Sequence, residues 1–228
     1  MAEGATKDPN KEFPFTLKLE GNGFDGEFQA VIAGEEKTVK DGYTFTLKDG
    51  ESAMVYGLTP GVKATVTQTG DHGGAGWSVN HETDAGEIEK NKTTELAFVN
   101  TYTLEPVTLD ADSIKGSKTL IGRDWQTDSA FTFTMTAGDA NPNAPLPNPA
   151  TVEVKNPSTG EYTDGEKIGF AFGAIEYTKP GTYQYVITEQ EGNKPKLSYS
   201  SARYVVTVTV SDKDGNGTMQ VESVMTNT

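Results

Sequence analysis

The sequence predicts an all-β chain made of two tandem immunoglobulin-like β-sandwich domains, on three observations. Its periodic segments alternate apolar and polar residues with period two. They are rich in Thr, Val, Tyr and Phe, which suit a half-buried pleated surface, and clusters of turn residues separate them at short intervals. No segment carries an apolar face at helical spacing, and 228 residues are enough for two cores.

In the first half, strands are read at EFPFTLKLE, EFQAVIAG, YTFTLKDG, KATVTQT and TTELAFVNTY, with turns at GNGFDG, KDGES and GDHGGAG. The second half begins again at SIKGSKTLIG and continues through FTFTMTAG, ATVEVKN, IGFAFGAIEYT, GTYQYVITEQ, YVVTVTVSD and TMQVESVMTNT. The seam falls in LEPVTLDAD, near residues 104–112, where a proline and acidic residues follow an apolar strand. This sets domains at 1–104 and 105–228. Both halves end alike, on Phe98, Val99, Asn100 and Thr101 and on Val224, Met225, Thr226, Asn227 and Thr228.

Composition narrows the function. A formal net charge of -14 without a basic cluster argues against nucleic acid or an anionic membrane as partner. No apolar run approaches a membrane span, and no secretory leader is visible, so an exported form would have lost both ends. The absence of cysteine excludes disulfides and thiolate chemistry. His72 and His81, in a Gly- and Asp-rich stretch, are too thin a ligand set for a metal and read as solvated loop residues. The run from Asp212 to Gly217 matches the first half of an EF-hand loop, but its twelfth position is Ser223, and between two strands it reads as a hairpin turn. No nucleophile elbow, phosphate-cradling loop or zinc motif is present, so neither an enzyme nor a cofactor is expected.

Side chains on a strand point to alternate faces, so the parity of residue numbers tells which neighbours each one joins. Lys118 shares a face with Ile114 and Leu120, while Lys115 falls in with Ser117 and Thr119. Glu189 aligns with Tyr183, Tyr185 and Ile187, and Asn227 with Met219, Val221 and Met225. A lysine, a glutamate and an asparagine are thus aimed at one core, where unpaired polar groups would cost several kcal/mol.

One chemistry uses this trio. Burial disfavours the charged forms of amines and carboxylates alike, leaving a nucleophilic amine beside a neutral acid. Glu189 would hydrogen-bond to the Asn227 carboxamide and shuttle protons while the Lys118 amine attacks and ammonia leaves. The product is an intramolecular amide.

The second half resembles the pilin isopeptide-linkage domain of streptococcal-type backbone pilins, over residues 112–228, through SKTLIGRDW, AFTFTMTAGDANPNAPLP, IEYTKPGTYQYVITE, YVVTVTVSDKDGNG and VMTNT. The resemblance implies a Lys118–Asn227 isopeptide bond assisted by Glu189. It also implies a structural subunit or stalk on a Gram-positive cell wall or pilus, joined by sortase to other pilin or surface-protein subunits. The alternative is an adhesin module whose partner is a host protein or glycan. Lys179, in YTKPG, resembles a short pilin-motif context but reads as a turn. The first half resembles the immunoglobulin-like domains of such surface proteins, through KEFPFTLKL, TFTLKDGES, YGLTPGVKATVTQT and AFVNTY. There Asn100 and Gln68 point inward, Gln68 standing where relatives carry a glutamate. Lys18 and Lys63 face out, so the first strand with its lysine is expected before residue 1, and no isopeptide bond is expected in this half.

Overall fold

The structure, a computed structural model, describes residues 8, 10–156 and 162–227. Thr228, used above in comparing the two chain ends, lies outside them. All the regular elements are strands, and no described residue is helical. The chain divides into two compact units. The first runs to Thr103 and includes the turn Asp214–Gly217; the second comprises Leu104–Lys213 and Thr218–Thr228.

In the first unit, β1 (Phe13–Glu20) buries Phe13, Phe15, Leu17 and Leu19 and exposes Lys18 and Glu20, as its alternation requires. β2 (Phe28–Ile32) turns into β3 (Glu35–Val39) through Ala33 and Gly34. Both have positive φ, the geometry of a two-residue hairpin whose twist matches its strands. That turn explains why the charged stretch EEKTV, which has no apolar pattern, is a strand at all. β4 (Thr44–Leu47), β5 (Ala53–Val55), β6 (Lys63–Gln68), β7 (Trp77–Val79), β8 (Thr83–Glu87) and β9 (Asn100–Tyr102) complete the unit. The sheets run β4-β1-β6-β8, β3-β2-β5 and β7-β9, around a core of Leu17, Leu19, Ala30, Ile32, Val39, Val62 and Ala64.

The expected long last strand TTELAFVNTY is shortened to β9. Upstream of it, side chains take the amides that a neighbouring strand would: Asp84 Oδ2 accepts from Ala97 N, and Asn80 Oδ1 from Val99 N. The inward alternation of Leu96, Phe98, Asn100 and Tyr102 survives nonetheless.

The second unit contains β10 (Val107–Leu109), β11 (Lys115–Thr119), β12 (Ala130–Ala137), β13 (Thr151–Lys155), β14 (Lys167–Ala171), β15 (Ile175–Tyr177), β16 (Gly181–Glu189), β17 (Arg203–Ser211) and β18 (Gln220–Asn227). A five-stranded sheet runs β13-β12-β16-β17-β18, with the pairs β10-β15 and β11-β14 beside it. Phe131, Phe133, Met135, Tyr185, Ile187, Val206, Val208 and Val210 face inward from the large sheet and pack with Ile114, Leu120, Phe172, Ile175 and Tyr177 in one core. The expected single strand IGFAFGAIEYT breaks into β14 and β15 at Gly173, where the backbone of Asn148 comes so close that a Cβ would overlap its carbonyl.

Candidate functional site

The alternation of β16 turns Tyr185, Ile187 and Glu189 to the core, and the β12–β16 register sets Glu189 opposite Phe133. From the other layer, β11 presents Lys118 between the buried Ile114 and Leu120, while Lys115 stays exposed. The two side chains meet. Lys118 Nζ lies 2.7 Å from Glu189 Oε1 and 2.9 Å from Oε2, and 4.4 Å from the centre of the Phe131 ring. Glu189 Oε2 also accepts from the Ser200 amide, at 3.0 Å. The lysine side chain is 11% exposed and the glutamate 2%.

Both carboxylate oxygens are acceptors here, so the arrangement is an ammonium facing a carboxylate, steadied by the ring below it. Glu189 meets Lys118, and not Asn227 as expected. The ion pair satisfies two groups that burial would otherwise penalise, and it holds the lysine nitrogen in one place with its proton acceptor in contact. Sequence parity had no signal for Ser200, a loop residue that reaches Glu189 through its backbone alone.

The structure corrects the placement of Asn227. The β17–β18 register shifts by one residue: Val210 faces Val221, but Thr209 faces Ser223, leaving Glu222 as an extra residue in β18. Such a bulge reverses which face the rest of the strand presents. Met219 and Val221 still point inward, whereas Met225 and Asn227 share the outer face with Thr207 and Val205. Asn227 is exposed, so of the expected trio Lys118 and Glu189 are brought together and Asn227 is not.

Two features still relate the last strand to the pair. The stretch before β10 runs beside the start of β18, with a parallel bridge between Glu105 and Thr218. Lys118 lies thirteen residues beyond Glu105 and Asn227 nine beyond Thr218. The first unit supplies the second feature. Gln68 stands opposite Phe15 as Glu189 stands opposite Phe133, and its Nε2 donates to Asn100 Oδ1 at 2.8 Å. Gln68 is 1% exposed, and its Oε1 has no partner among the described residues. Lys18 and Lys63 face water, Lys18 pairing with Glu20.

Both histidines lie outside the strands, His81 exposed and His72 half-buried, each beside a carboxylate. His72 Nε2 lies 3.2 Å from Glu82 Oε1 and His81 Nε2 lies 3.7 Å from Asp84 Oδ2. Among the described residues, no group of three or more His, Asp or Glu is placed to hold a metal. The run Asp212–Gly217 lies in the connection between β17 and β18.

Residues 114–228 match the family model of the Spy0128-like isopeptide containing domain, FctA, in agreement with the resemblance read from SKTLIGRDW and the motifs after it. Residues 1–102 match a domain family of unknown function, DUF7601. A stretch of 71 residues, 29% of the chain, is 42% identical to the pilus tip adhesin Cpa of Streptococcus pyogenes, and covers 10% of that protein. A buried lysine and glutamate in contact within an all-β second unit, and a family match over half the chain, lead to one assignment: the chain belongs to the family of Spy0128-like isopeptide-containing domains.

Proposed function

We propose that this chain is a structural segment of a Gram-positive pilus or cell-wall-anchored surface protein, not an enzyme, and that its second unit closes itself with an amide between Lys118 and Asn227. The observation that carries this is the buried contact between Lys118 Nζ and both oxygens of Glu189. In the first unit, the residue at the position of Glu189 touches the asparagine of the last strand, which supports the third member of the trio.

The step balances without an added reagent. The ammonium of Lys118 passes a proton to Glu189, and the free amine attacks Cγ of Asn227. A C–N bond forms, Glu189 gives that proton to the departing amide nitrogen and takes a second one from the attacking nitrogen, and the ammonia leaves with this second proton as ammonium, restoring the carboxylate. The reaction occurs once per molecule. The closed loop is about 110 residues long, so the bond stabilises the fold by on the order of 4–5 kcal/mol, and it carries tension between β11 and β18 past the non-covalent core. Such a domain works outside the cell, with other pilin or surface-protein subunits joined through sortase as its partners.

Fragmentation mass spectrometry of a tryptic digest tests the bond. A branched peptide joining the segments of Lys118 and Asn227 is expected; recovery of both segments only as separate linear peptides would overturn it. A second reading, an adhesin module for a host protein or glycan, draws on the matched relative, itself a pilus tip adhesin. Binding of the purified chain to host glycoproteins would favour it.

A further inference from the structure

Resting on that reading, we infer that β18 has a second register, in which the Glu222 bulge is lost and Asn227 turns inward, and that the amide forms only from this register. The register of Val210 with Val221, carried to the end of the strand, sets Glu222 opposite Thr209, Met225 opposite Val206 and Asn227 opposite Tyr204. Val206 and Tyr204 lie on the row of β17 that continues the inward face, Val206 buried and Tyr204 39% exposed at its end, and Met225 and Asn227 would join that row.

Three observations favour the shift. First, the bulged register seals little: Val224 lies on the inward row yet is 38% exposed, and Met225 is 55% exposed on the outer face. A strand whose register is not enforced by a buried face is prone to slip by one residue. The shift would set Met225 beside the fully buried Val206 and Ser223 beside the fully buried Val208, turning Val224 outward, so the two registers bury one large apolar side chain each and neither face enforces the pairing. Second, among the described residues the side chain of the bulge residue is held by an exposed hydrogen bond, from Ser211 Oγ to Glu222 Oε1. Third, the corresponding strand of the first unit shows the inward arrangement. Phe98 and Asn100 there match Met225 and Asn227, and both point to the core, where Asn100 meets Gln68.

Deleting Glu222 separates the two registers. A β18 without the extra residue pairs regularly with Asn227 still outward, so the deletion fixes the unreactive face. The chain has no native cysteine, so disulfide trapping reports the register directly. Tyr204→Cys with Asn227→Cys reports the inward register, and Val205→Cys with Asn227→Cys the outward one; neither variant can form the amide.

The Tyr204/Asn227 cysteine pair is expected to oxidise in the full chain and to remain reduced when Glu222 is deleted. The otherwise native deletion variant is expected to keep its ammonia while the wild type loses it. Oxidation of only the Val205/Asn227 pair, or ammonia loss from the deletion variant, would overturn the second register. Oxidation of the Tyr204/Asn227 pair in a protein whose wild type keeps its full mass would retain the register and reject the amide.

Discussion

Glu189 grips the Lys118 ammonium with both carboxylate oxygens, at 2.7 and 2.9 Å, inside the core of the second unit. A buried pair of this kind contributes little over an apolar pair of equal volume, yet its halves cannot be separated without stranding a charge. In an Asn227→Ala background, where no amide can form, Glu189→Ala is expected to destabilise the second unit by about 3–5 kcal/mol. Replacing the pair by Lys118→Met with Glu189→Leu should recover most of that loss. Urea unfolding followed by tyrosine and tryptophan fluorescence measures both.

Gln68 fills the equivalent place in the first unit without a charge, and it is 1% exposed. Gln68→Glu would bury a carboxylate with no cation beside it and remove the donor to Asn100 Oδ1. At pH 7 a loss of about 3 kcal/mol is expected in the unfolding transition of this unit. A buried carboxyl holds its proton more tightly folded than unfolded, so the deficit should shrink as pH falls and the side chain again donates to Asn100. Thermal scans at pH 4 and pH 7 test this.

Gly173 sits against the Asn148 carbonyl where β14 gives way to β15, and an added Cβ has no room because the obstacle is backbone. Gly173→Ala is expected to cost about 1–3 kcal/mol, like other overpacked sites. Gly122→Ala meets no atom within 4 Å but has a left-handed φ of 89°, so it should lose only the smaller cost of backbone strain. Comparing their urea midpoints separates crowding from strain.

The Tyr185 and Tyr177 hydroxyls share a hydrogen bond at 3.1 Å, deep in the second core. Burial, with the Tyr185 hydrogen bond second, holds the Tyr177 phenol well above its ordinary range, and burial raises Tyr185 and Tyr183 as well. A group whose folded pKa is raised contributes stability that is complete below its unfolded value and is lost as pH rises towards the folded one. Thermal stability should therefore be level up to about pH 10 and fall beyond it. Tyr177→Phe should start lower and fall less steeply; parallel slopes for wild type and variant would contradict the assignment.

Much of the fold was legible because its strands alternate cleanly: FPFTLKLE and GTYQYVITE place their inward residues by parity alone, and Lys118 and Glu189 are where that pattern puts them. Strands β3 and β8 were not legible, because EEKTV and TDAGE carry no apolar alternation and owe their pairing to a hairpin turn or a neighbouring edge. The outward face of Asn227 was hidden for another reason. Parity counts residues along one strand, whereas the bulge at Glu222 is set by the pairing with β17. Ser200, acting through its backbone amide, leaves no mark in the side-chain pattern.

The most direct measurement is the intact mass of the purified protein beside that of its Glu189→Ala variant. Wild type is expected to be lighter than its sequence by one ammonia, and the variant to have its full mass. Wild type at full mass would contradict the self-formed bond, and loss of two ammonia molecules would mean that Asn100 also finds a lysine.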